Sequence, residues 1–159
     1  MNSGNPSDER FFLDTNIAVS SFDASALRKQ EAAKELVAHA ASSGLGVVSY
    51  QVLQKFCNVA SNSRRLRLDT ERTMAYVGLL LEPTNKVAPS VALLETALAL
   101  RAQYSFSFYD NLIIAAAQQA NCTVQYSEDM QHAQPVGSLP IVNPFLLVAN
   151  EPELRLVKP

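Results

Sequence analysis

The strongest constraint on the fold is a repeated switch between very short apolar runs and longer segments with helical periodicity. Phe11, Phe12 and Leu13 form a run too short for a helix and suited to a buried strand. "GVVSY", "CTVQYS" and "LPIVNP" repeat the pattern at positions 46, 122 and 139, and "TNKVAP" offers a shorter strand. Between these runs, Ala24 to Ala41 is rich in Ala, Leu, Glu and Lys and reads as a helix closed by "SSGLG". In residues 50–62, Val52, Leu53, Phe56, Val59 and Ala60 recur at helical spacing. "LDTERTMAYVGLLLEP" is predicted to open on Asp69 or Thr70 and stop at Pro83. A further helix runs from Pro89 or Ser90 to about Tyr104, and "SFYDNLIIAAAQQAN" forms the last, ending at Asn121. This alternation predicts an α/β fold with a parallel sheet covered by helices on both faces. Right-handed crossovers then bring the strand C-termini to one edge, where sites of open α/β sheets form.

Bulk properties narrow the class. With 159 residues, 48% of them apolar, the chain is expected to be a single domain with a real core, residues 1–9 forming a loose tail. No apolar run reaches the roughly 18–20 residues of a membrane span, and no secretory signal opens the chain, so a cytoplasmic protein without membrane contact is expected. Cys57 and Cys122 have no CxxC spacing and read as thiols in a reducing compartment; His39 and His132 are too far apart in sequence to suggest a metal pair. A net charge of −2 does not advertise a nucleic-acid binder. The basic cluster Arg64, Arg65, Arg67 and Arg72 reads either as a solvated helix end or as a phosphate-contacting patch. No GxGxxG follows the first strand, which sets a dinucleotide-type site aside.

Three acids border apolar elements. Asp14 ends the first strand, Asp110 sits in the first turn of the last helix, and Asp129 follows "CTVQYS". Crowded carboxylates repel, and a hard divalent cation such as Mg²⁺ or Mn²⁺ would relieve them and could activate water. The structural alternative is equally open: Asp14 as a loop residue or helix N-cap, and Asp110 as an ordinary first-turn acid.

The stretches "FFLDTNIAVSSFD", "VVSYQVLQKFCNVA", "SFYDNLIIAAAQQANCTVQYSEDMQH" and "PIVNPF", in this order, resemble the PIN-domain family, and within it VapC-type toxins of bacterial toxin–antitoxin pairs. The resemblance implies an α/β/α sandwich around a central parallel sheet. It also implies a Mg²⁺- or Mn²⁺-dependent endoribonuclease acting on RNA, a homodimer, and a small antitoxin partner that blocks the site. Of the four acids of such sites, the first falls on Asp14, the third on Asp110 and the fourth on Asp129, with Thr15, Asn16 and Ser127 orienting them. Arg64, Arg65 and Arg67 become candidate RNA-phosphate contacts.

The second acid, typically glutamate in "QVLQEF", is replaced: this chain has "QVLQKF", with Lys55 at that place. A lysine there turns four negative charges into three negative and one positive. Lys55 is expected either to hydrogen-bond the aspartates and fill part of the metal's electrostatic role, or to extend its stem outward and leave them alone. At ~4 Å and an effective dielectric of ~20, one such charge pair is worth about 4 kcal/mol before desolvation. The sequence is equally compatible with natural divergence and with a deliberate exchange. It therefore suggests a ribonuclease by ancestry with impaired activity, or an inactive fold that still binds RNA or an antitoxin. Asn111 and Gln125 are further polar residues near these segments without a functional reading.

Overall fold

A computed structural model of the chain describes residues 9–64, 66–130 and 134–146. Six strands form one sheet: β1 (Phe11–Leu13), β2 (Gly46–Ser49), β3 (Asn85–Val87), β4 (Val124–Tyr126), β5 (Pro135–Val136) and β6 (Leu139–Val142). The spatial order is β3-β2-β1-β4-β6-β5. Every pairing is parallel except that of β5 with β6, a short antiparallel edge absent from the sequence-based expectation. β1 is central, and its three apolar residues are all buried, as a parallel strand covered on both faces requires.

The helices are α1 (Thr15–Ser20), α2 (Leu27–Ser43), α3 (Tyr50–Asn62), α4 (Thr70–Tyr76), α5 (Val91–Gln103) and α6 (Phe108–Gln119). From β1 to β3 the chain steps one way across the sheet, and from β3 to β4 it steps back. Right-handed crossovers therefore place α1–α4 on one face and α5–α6 on the other. The packing agrees: α1 lies against α2 and α3, α3 against α4, and α5 against α6.

Local chemistry explains the boundaries. Ser90 and Ser107 cap α5 and α6 by accepting the N–H groups of Leu93 and Asp110, and Asp69 caps α4 through the N–H of Arg72. Pro83 does not simply stop α4. The helix first widens into a π turn over Val77–Leu81 and then tightens into a 3-10 turn, Glu82–Thr84, that holds the proline near its start. Asn121 leaves α6 at φ 56°, the left-handed conformation that asparagine tolerates. The short α1 was not expected: it begins directly after β1, with no intervening loop to announce it.

The core joins both layers to the sheet. On the α1–α4 side, Phe22, Phe56 and Tyr76 form an aromatic cluster with ring centroids 4.7–6.0 Å apart. On the other side, Ile113 to Ala117 of α6 are all buried. Gly44 ends α2 at φ 72°, and the chain turns straight into β2. The return is so tight that a Cβ on Gly46 would lie 2.2 Å from the Cβ and 2.5 Å from the Cα of Ala40. Backbone must move to admit it, so Gly46→Ala is expected to cost about 1–3 kcal/mol. Urea denaturation of the two proteins checks this; an unchanged midpoint would mean that α2 is free to shift.

Candidate functional site

The strand order reverses between β1 and β4: β1 leads on to β2 and β3, while β4, β6 and β5 lie on its other side. In open α/β sheets the crevice beyond the strand C-termini at such a point is where ligands bind. Asp14 is the first residue after β1 and Ser127 the first after β4. The backbone continues the sheet to them, with Asp14 N–H on the Tyr126 carbonyl and Ser127 N–H on that of Val142, both at 3.0 Å.

Asp14 is buried and does two things at once. It is the N-cap of α1, in extended conformation, its Oδ1 accepting the Thr15 N–H at 2.6 Å. Its Oδ2 accepts the Ser127 hydroxyl at 2.8 Å and the Asn16 amide at 3.3 Å. Asn16 also reaches Ser127 Oγ at 3.3 Å, and its Oδ1 accepts the Glu128 N–H at 3.1 Å. Glu128 in turn is ion-paired with Lys29 of α2. The three residues expected to orient the first acid therefore do touch it, Thr15 through its backbone. The hydroxyls of Thr15 and of Ser49, at the C-terminal end of β2, are buried without a partner among the described residues.

Burial raises the Asp14 carboxyl above its ordinary range. The Ser127 hydrogen bond, the Lys55 charge and the Thr15 N–H pull it back down, the Asp129 charge pushes up, and the net direction is upward. Lys55 and Asp129 thus both act on Asp14 through space. Asp129 is exposed on the turn after β4. Asp110 is half-buried in the first turn of α6, where the Ser107 hydroxyl donates to its Oδ2 at 2.7 Å.

The charge-assisted bonds considered for Lys55 are not formed. Its side chain is exposed and has no carboxylate within 4.0 Å among the described residues, so solvent screens its pull on Asp14 and the full contact energy does not apply. Among the described residues, no three His, Cys, Asp or Glu side chains come together closely enough to share an ion. Asp14 Oδ1 accepts a single hydrogen bond and keeps a lone pair, and hydrogen bonds of this kind also orient metal-ligating carboxylates, so Asp14, with Asp110 and Asp129, is the group that would hold a divalent ion.

Arg64 and Arg67 are exposed on the turn beyond the C-terminal end of α3, and Arg67 has φ 50°. The thirteen residues of α3 put that turn about 20 Å from the helix start at the sheet edge. Arg65 and His132 lie outside the described residues. Asn111 has a structural role: its amide donates to the carbonyls of Phe106 and Ser107 at 3.1 and 3.0 Å and fastens the turn that presents Asp110. Gln125 lies on β4. It is fully buried, with its amide 3.4 Å from the Met130 sulfur.

The PIN-domain family model matches residues 11–135, most of the chain and all of the site. The chain belongs to the PIN-domain family. Solved structures agree on the fold of this PIN domain. A toxin–antitoxin complex from Klebsiella pneumoniae superposes with a TM-score of 0.60 at 19% identity, covering 84% of this chain and 96% of that one. VapC20 of Mycobacterium tuberculosis, described as a toxin that cleaves the sarcin-ricin loop, gives 0.57 at 20% identity, covering 75% and 89%. VapBC2 of Rickettsia felis, bound to a DNA fragment from its promoter, gives 0.58 at 17%, covering 82% and 96%. No curated protein sequence matches the chain.

The raised Asp14 carboxyl has a consequence for stability. The folded form holds the Asp14 proton more tightly than the unfolded form does. Its contribution to stability therefore falls as the pH rises from the ordinary carboxylate range through the folded-state pKa. Asp14→Asn removes that loss and keeps a cap for Thr15. It also puts an NH2 where Oδ2 accepts from Ser127 and Asn16, so the check is the pH trend: the urea midpoint of the variant is expected to gain on that of the parent as the pH rises from the ordinary carboxylate range to neutral. A parent whose midpoint gains on the variant's over that range would show that the ionised carboxylate is net stabilising.

Proposed function

We propose that this PIN domain is, by ancestry, an RNA-cleaving toxin of a toxin–antitoxin pair whose cleavage activity is impaired by Lys55. The observation that carries the reading is the PIN-domain match over residues 11–135, and the impairment rests on an exposed Lys55 on α3 where the resemblance puts a glutamate. A cation tethered there opposes the entry of a second one, and it lightens the negative charge that would attract Mg²⁺ or Mn²⁺. The solved relatives with toxin–antitoxin descriptions support a small antitoxin as partner, and the resemblance extends this to a homodimer working in the cytoplasm. None of the described helices is long and apolar enough to cross a membrane. Asp14, Asp110 and Asp129 are the proposed remnants of the acidic set. Arg64, Arg65 and Arg67 are proposed to meet RNA phosphates.

A second reading has its own observation. Lys55 itself, exposed on α3 with no carboxylate contact among the described residues, suits a protein that binds RNA or an antitoxin without turnover.

Lys55→Glu separates the two. Parent and variant are compared for cleavage of total bacterial RNA with Mn²⁺, with EDTA controls, and for the shift in melting temperature that Mn²⁺ causes. The variant is expected to cut RNA and to gain a Mn²⁺-dependent rise in melting temperature, and the parent to do neither. If neither protein cuts or responds to the ion, the binding-only reading stands. Equal cleavage by both would remove Lys55 from the site.

A further inference from the structure

Beside Lys55 lies a cleft of about 460 Å³, lined by Gln51, Gln54, Lys55 and Asn58 of α3 and Tyr109 of α6. Gln51, Lys55 and Asn58 follow one another at four- and three-residue spacing and so share one face of α3. Tyr109, in the first turn of α6, closes the other side. It is 65% exposed, which is unusual for so large a ring, and it is held from behind. The Phe108 ring meets it edge-on at 5.5 Å, and the Gln51 amide donates to its carbonyl at 3.4 Å. Gln51 Oε1 is buried with no partner, an acceptor that nothing in the described chain uses. Lys55 is the only charged residue among those lining the cleft, and no carboxylate lies within 4.0 Å of it among the described residues.

These features define the chemistry of an occupant. A braced, exposed aromatic ring offers a stacking platform. Amide side chains, including a free acceptor, suit the polar edges of a flat ring. An ammonium without a counter-ion suits an anion. The volume falls in the range of small-ligand pockets. A protein surface would fit less well, because interface cores are depleted in lysine.

We propose that this cleft is a subsite for one nucleotide of single-stranded RNA. The base stacks on Tyr109, Gln51 and Gln54 address its edge, and Lys55 pairs with the adjoining phosphodiester. The subsite rests on the RNA reading above and deepens it. In it Lys55 holds substrate rather than merely weakening a metal site.

The test is fluorescence anisotropy of a labelled single-stranded RNA oligonucleotide in EDTA, so that cleavage plays no part. Tyr109→Ala is expected to weaken binding about 5- to 150-fold, the effect of losing one stacked base, while Tyr109→Phe keeps the parent affinity. Lys55→Gln is expected to weaken binding and to lower the slope of log affinity against log salt by about 0.7, the share of one phosphate. The chain has no tryptophan, so Tyr109→Trp supplies a single reporter whose emission should be quenched by RNA. A parent that binds no RNA overturns both the RNA reading and the subsite. A parent that binds, with Tyr109→Ala and Lys55→Gln binding equally well, overturns the subsite alone. Should Tyr109→Ala instead turn a dimer into a monomer in sedimentation, with RNA affinity unchanged, the cleft belongs to a second copy of the chain.

Discussion

The structure depends on one buried carboxylate. Asp14 caps α1 with one oxygen and ties β1 to β4 with the other, through Ser127 and Asn16. The neighbouring parallel strands leave the sheet in different directions just there, and a hydrogen-bond knot between their ends holds the crevice at a fixed width. The cost is an ionisable group out of water, and the three donors and the nearby Lys55 charge offset it only in part. A polar network of this kind is a common source of local instability in exchange for a shaped site.

The double use of Asp14 also complicates the reading of any change made there. Truncation to alanine would uncap α1, leave Ser127 and Asn16 without their shared acceptor, and remove the charge at the same time. A loss of function on such a change would mix chemistry with architecture. The Lys29–Glu128 ion pair extends the same knot to α2, so the effect would not stop at the crevice.

Much of this was legible in the sequence because the physics involved is local. The order of strands and helices follows from runs of apolar residues and from capping residues such as Asp69, Ser90 and Ser107. Asp14 was legible from its place after the first apolar run, whereas Thr15, Asn16 and Ser127 were expected near it only through the resemblance to PIN domains. What was not legible is long-range or subtle. α1 was missed because its six residues are too few to show a period. The π turn after Tyr76 depends on packing against α2 rather than on propensity. The reach of Lys55 is set by tertiary spacing that no pattern encodes, and of the two postures the sequence allowed it takes the outward one, in solvent. Gln125, a polar residue without a reading in the sequence, proves fully buried on an interior strand of a sheet covered on both faces. Tyr109 drew no notice beside Asp110, because an aromatic in an apolar helix looks like core until its exposure is known.

The two ends of the sheet carry a further meaning. β3 offers three residues at one edge, and β5 offers two at the other, one of them Pro135, which has no N–H to give. Rims this short, one of them carrying a proline, are poor templates for a strand from another molecule. The fold is thereby guarded against edge-to-edge polymerisation, which leaves helical surfaces and loops as the larger area for meeting another protein.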